Sequence, residues 1–157
     1  MSAEDVVRAL LARGETVATA ESLTAGMVTV ELTSVPGSSA VVRGGLVVYA
    51  TDLKQALAGV DAALLAEHGA VHPEVARQLA EGARERCGAT WGLGLTGVAG
   101  PDPQDGVAPG TVHIGLSGSS GSSVESLTLG GDRGQVRRRS AMAALDLLLA
   151  HLKIPVE

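Results

Sequence analysis

Two hydrophobic periodicities alternate along the whole chain, and that alternation most restricts what it can fold into. Val6, Val7, Leu10 and Leu11 follow helical spacing and stop at Gly14. A short β-like run at about 15–20 leads into a helical run at about 23–34 and the turn Pro36-Gly37-Ser38. A strand is expected at about 43–50, then helical patterns near 51–58 and 60–67. Pro73 opens a helix that places Val75, Ala76, Leu79, Ala80, Ala83 and Cys87 on one face. Strands are expected near 90–96, 111–117 and 122–129, and a last helix at about 133–152 repeats Met142, Leu145, Leu148, Leu149 and Leu152. Helices between strands require a sheet covered on both faces. The direct pair 111–117/122–129, joined through Gly118 to Gly121, reads as an antiparallel hairpin. The expected fold class is therefore α/β, with three α/β/α layers around a mixed, mostly parallel sheet, as a single domain over residues 1–157.

Composition narrows the function. A chain of 157 residues buries a real core, and with no Phe, one Trp and one Tyr that core is aliphatic. The net charge of −5 argues against non-specific nucleic-acid binding, which needs a basic surface. One cysteine, Cys87, excludes an internal disulfide and a multi-cysteine metal site. No apolar run reaches membrane-spanning length and the N-terminus carries acids, so a cytoplasmic chain with no membrane partner is expected. Gly92-Leu93-Gly94-Leu95-Thr96-Gly97 matches a dinucleotide fingerprint literally, but it lies within a strand pattern and is followed by Pro101 and Pro103 instead of a helix. His68 and His72 are four apart, yet Gly69 and Pro73 make their surroundings a turn, so no metal site is expected.

Thr19-Ala20-Glu21-Ser22-Leu23-Thr24-Ala25-Gly26 is a strand-to-helix turn. Such a turn presents a hydroxyl beside free backbone N–H groups, although Ser22 or Thr24 could equally be an ordinary N-cap. With no metal motif and no cysteine in a reactive context, Ser is the natural residue for a nucleophile. Lys54 is one of two lysines against ten arginines, and burial would let such a lysine act as a base. On the residues alone it could as well be an exposed helix lysine.

These pieces stand beside Gly44 to Lys54, Gly94 to Asp102, Pro109-Gly110-Thr111-Val112 and Gly131-Asp132-Arg133 followed by Arg137. Together, from about Val6 to about Leu149, they resemble the C-terminal domain of the CinA (competence/damage-inducible protein A) family. That domain also occurs as a stand-alone nicotinamide-nucleotide amidohydrolase. The resemblance implies an enzyme that converts nicotinamide mononucleotide to nicotinic acid mononucleotide and ammonia, with Ser22 as nucleophile, Lys54 as general base, no cofactor and a homodimeric state. Ser39 matches a family position associated with the active site. The rival reading is a catalytically silent nucleotide-binding or regulatory module linked to competence or DNA repair.

Substrate-binding candidates are Thr24, Ser39, Tyr49, Thr96, Gly97 and Arg137. Tyr49 ends a strand and could hold the substrate ring or ribose, or be a core aromatic. Thr96 and the glycines that follow could line a nucleotide site, since glycine lets the main chain approach closely. With Asp132 as N-cap, Arg133, Arg137, Arg138 and Arg139 fall in the first turns of a helix, where cations oppose the dipole and a bound phosphate would offset the cost. Arg137 is the phosphate choice because it matches the family motif. The chain departs from the family at Ala25, where a second glycine is common, at the less polar run Ala50 to Leu53, and at Pro103, where paired glycines are common.

Overall fold

The computed structural model describes residues 2–153. Five strands form one open sheet: β1 (Val17–Glu21), β2 (Val42–Val47), β3 (Trp91–Gly97), β4 (Thr111–Gly118) and β5 (Gly121–Thr128). Their spatial order is β2-β1-β3-β4-β5. β1 pairs in parallel with both β2 and β3, and the β3/β4 and β4/β5 pairs are antiparallel. The sheet is thus mixed, with parallel and antiparallel pairs in equal number instead of mostly parallel ones, and the expected hairpin is present, with Gly118 opposite Gly121 across a two-residue turn.

Helices α1 (Ser2–Arg13), α2 (Met27–Thr33) and α6 (Arg133–Leu152) cover one face, where Val6, Leu10, Leu32, Leu145 and Leu148 meet Leu93, Leu95 and Ile114. Helices α3 (Thr51–Ala58), α4 (Ala62–His68) and α5 (Pro73–Cys87) belong to the other, around Ala18, Ala20, Val48, Val75 and Leu79. The two cores explain the alternation in the sequence, because successive crossovers deliver helices to both sides of the sheet. No helix among the described residues is long and apolar enough to cross a membrane.

Period-2 alternation explains the false dinucleotide fingerprint. Leu93 and Leu95 point into the first core, so Gly92 and Gly94 face α5. A Cβ at Gly92 would collide with the main-chain oxygen of Ala80, and one at Gly94 would lie 2.5 Å from that of Ala76. Gly115, directly opposite Gly94 on β4, meets the same Ala76 oxygen. The glycines are a seat for a helix, not a cradle for phosphates.

Most boundaries agree with the periodicity, including α6 over 133–152 with Asp132 as its N-cap in a full capping box with Gln135. The exception is α2, which starts at Met27 instead of about 23. Ala25 (φ 48) and Gly26 (φ 98) are left-handed and hold the chain out of the helix for one further turn.

The glycine seat sets a stability test. Gly115→Ala should destabilise the fold by about 1–3 kcal/mol through overpacking, whereas Gly130→Ala, whose nearest atom would be 4.0 Å away, should stay within about 0.5 kcal/mol of wild type. Urea unfolding measures both, and equal midpoints would contradict the close approach of α5 to the sheet.

Candidate active site

The strand order reverses at β1: the chain moves outward to β2, then crosses back to place β3 on the other side. In open α/β sheets the crevice beyond the carboxyl ends of strands at such a point receives ligands. Here a cleft of about 330 Å³ lies at the ends of β1 and β3. It is lined by Ser22 and Leu23 after β1, Tyr49 after β2, the loop Gly97 to Gln104 after β3, and Arg133 at the start of α6.

The turn that carries Ser22 is held by a buried carboxylate. Glu21, the last residue of β1, is fully buried and accepts from the Val28 N–H (2.9 Å), the Thr29 N–H (3.1 Å), the Thr29 hydroxyl (2.7 Å) and the Thr19 hydroxyl (3.2 Å). Two of these donors are orphan amides of the first turn of α2, whose N-cap is Gly26. Neither Ser22 nor Thr24 therefore caps the helix; a carboxylate from the preceding strand does, and the Ser22 hydroxyl is left available. Ser22 itself is 7% exposed, with its amide donating to the Leu95 carbonyl (3.1 Å).

Lys54 sits in the middle of α3 and is 1% exposed. Its Nζ donates to the carbonyls of Val48 (2.8 Å) and Tyr49 (3.0 Å), and no carboxylate pairs with it among the described residues. Burial without a counter-charge lowers its pKa to about 8. Val48 links the lysine to the serine turn: its carbonyl receives Nζ, and its own N–H donates to the Glu21 carbonyl (2.9 Å), one peptide before Ser22.

The structure distributes the remaining candidates unevenly. Tyr49 is 60% exposed at the cleft, and Gly97 lines it. Thr24 is fully buried with no hydrogen-bond partner for its hydroxyl among the described residues. Thr96 is buried as well, and its hydroxyl donates to the Ala70 carbonyl (2.7 Å), tying the segment between α4 and α5 to β3. Ser39 is exposed in a 3-10 turn (Ser38–Ala40) just before β2. Val17 pairs with Val42 and Glu21 with Val47, so Ser39 and Ser22 lie at opposite ends of the sheet. Four strand steps separate those ends, roughly 13 Å, and one chain does not bring the two serines together.

The arginines exchange places relative to the sequence expectation. Arg137 Nε donates to the Leu23 carbonyl (2.8 Å), so this side chain braces the serine turn and is not part of the cleft lining. Arg133 lines the cleft, donating to the Gly100 carbonyl (2.7 Å) and the Tyr49 hydroxyl (3.1 Å). Sequence reasoning counted Arg133 among the helix-start cations but chose its neighbour one turn on. Glu21 was visible inside the motif and received no role, because a carboxylate at a strand end carries no local signal of which amides it will meet.

The model for the CinA C-terminal domain matches residues 1–152. The chain belongs to that family. A CinA-like protein of Frankia casuarinae is 50% identical over 94% of this chain and 34% of its own length. The chain spans about a third of the length of the curated relatives it matches. Among solved structures, a CinA superfamily protein of Klebsiella pneumoniae has a TM-score of 0.92 at 28% identity, covering 96% of this chain and 95% of that one. A competence/damage-inducible protein of Agrobacterium tumefaciens has a TM-score of 0.89 at 33% identity, covering 98% and 97%. The CinA fold places the ends of β1, β2 and β3 around one cleft in this chain.

The buried lysine predicts a pH-dependent stability. Its pKa falls from 10.5 to about 8 on folding, so between those values the unfolded chain binds a proton that the folded chain does not. Stability must therefore rise with pH across that window. The free energy of unfolding of wild type relative to Lys54→Met should increase by about 2–3 kcal/mol from pH 8 to pH 10.5. A flat difference would mean that Lys54 titrates like a solvated lysine.

Proposed function

We propose that this chain hydrolyses the carboxamide of nicotinamide mononucleotide, giving nicotinic acid mononucleotide and ammonia through a Ser22–Lys54 dyad. The observation that carries the proposal is Lys54, a fully buried amine with a pKa of about 8 that lies behind the cleft lining, bonded to the Val48 and Tyr49 carbonyls instead of Ser22, and joined through Val48 to the turn that presents Ser22. A lysine kept near neutrality by burial is suited to take a proton from a weakly acidic hydroxyl.

In this scheme neutral Lys54 accepts the Ser22 Oγ proton as Oγ bonds to the carboxamide carbon. Collapse of the tetrahedral intermediate breaks the C–N bond, and the Lys54 ammonium returns the proton to the departing ammonia. The resulting serine ester is cleaved by water, with Lys54 again taking the proton. Backbone N–H groups of Leu23, Thr24 and Gly26 in the turn after Ser22 are the candidate donors to the oxyanion, the Ala25 N–H being taken by the Ser22 carbonyl (3.1 Å). Arg133 is assigned to the phosphate, because a guanidinium at the cleft mouth offers charge-assisted contacts to it. Arg137 is assigned to positioning the Ser22–Leu23 turn. Lys54 is half neutral at about pH 8, so the rate should rise with pH through that value and level off above it.

Ammonia release from nicotinamide mononucleotide, followed by a coupled assay, tests the assignment. Ser22→Ala should lower kcat by at least about a thousandfold while leaving the fold intact. Arg133→Ala should chiefly raise KM, by about ten- to a hundredfold, the cost of one charge-assisted contact. Arg137→Ala should instead lower kcat. Near-native turnover in Ser22→Ala would move the nucleophile elsewhere, and no ammonia from wild type would favour a silent nucleotide-binding module.

A further inference from the structure

Among the residues lining the cleft, two carry charge: Arg133 and Asp102. They stand close in the loop geometry, since Arg133 Nη1 reaches the Gly100 carbonyl two residues before Asp102, yet they form no ion pair. The guanidinium turns instead to Gly100 and, with Nη2, to the Tyr49 hydroxyl on the other wall. Asp102 is exposed and has no hydrogen-bond or charge partner among the described residues. The cleft therefore offers one cation and one uncommitted carboxylate, with the aromatic ring of Tyr49 beside them.

A ligand that brings only an anion would satisfy Arg133 and crowd the carboxylate with nothing in return. A ligand that is anionic at one end and cationic at the other satisfies both. We propose that Asp102, with the face of Tyr49, reads a positive charge on the ligand's ring. The cleft then selects an N-ribosylated pyridinium over the same compound with a neutral ring. This rests on the amidohydrolase reading for the identity of the ligand, but it concerns binding and not the chemical step. An exposed carboxylate in an open cleft is screened by water, so its contribution is modest, about two- to fivefold. The aromatic face adds a comparable factor.

The test compares nicotinamide mononucleotide with its reduced form. Both carry the same carboxamide, ribose and phosphate, and the reduced form has a neutral dihydropyridine ring. Calorimetric titration of Ser22→Ala, which leaves the ligand unconsumed, should show the cationic form binding about tenfold tighter. Adding Asp102→Asn should cut that preference to about threefold by weakening the cationic ligand alone, and raising the salt concentration should shrink it in the parent protein. Equal affinity for the two forms would overturn the inference. Equal weakening of both by Asp102→Asn would also overturn it, because the carboxylate would then be holding the shared ribose. Binding of neither compound would overturn it together with the amidohydrolase reading. Selective binding of the cationic form by a wild-type protein that releases no ammonia would uphold the charge reading and reject only the hydrolysis.

Discussion

The carboxylate of Glu21 is the contact on which the site depends. It is fully buried at the end of the central strand, where an unpartnered charge would be untenable, and it is made tolerable by four donors drawn from β1 and α2. The Thr19 and Thr29 hydroxyls lie 2.8 Å apart, so the single Thr19 proton can turn either to the carboxylate or to Thr29. Room for that hydroxyl pair exists because β2 places Gly45 opposite Thr19, where a Cβ would lie 2.6 Å from one hydroxyl and 2.5 Å from the other. One polar knot thus sets the angle between strand and helix and decides where the intervening residues go. Ser22, directly after Glu21, inherits its position from it.

Around that knot, the fold arranges opposite environments for its polar groups. Glu21 is buried and saturated with donors, whereas Lys54 is buried with two carbonyls and no counter-charge among the described residues. The first arrangement favours structure, and the second favours reactivity, since desolvation is what brings an amine toward neutrality. The second has a cost in stability at neutral pH that a purely structural lysine would not impose. Arg133 and Arg137 show a similar division. One turn apart on α6, the first reaches the cleft and the second braces the turn behind it.

Much of this was legible in the sequence, for identifiable reasons. The alternation of periods located every strand and helix, because each element buries one face against a continuous core. Asp132 was recognisable as a cap since capping boxes are local, with partners three residues apart. The start of α2 at Met27 is blurred in the apolar pattern from about residue 23, because the left-handed conformation of Ala25 is imposed by the surrounding turn and has no marker in an alanine. Ser39 and Arg137 had been grouped with Ser22 by motif, and motif order does not say which end of a strand or which side of a helix turn a residue occupies. The role of Glu21 is not legible in the sequence because it is non-local, acting through amides seven and eight residues on. Family membership itself followed from ordered motifs, which survive where contacts cannot be read.

The central claim is that Ser22 attacks the carboxamide and forms an ester before water enters. Partition of the reaction between water and added hydroxylamine tests it most directly, because a serine ester is captured by hydroxylamine whether or not it accumulates. The account predicts that the hydroxamate of the nucleotide forms at the expense of nicotinic acid mononucleotide, with ammonia release undiminished, and that Ser22→Ala yields neither product. Ammonia release with no hydroxamate at any hydroxylamine concentration would contradict it and point to direct attack by water.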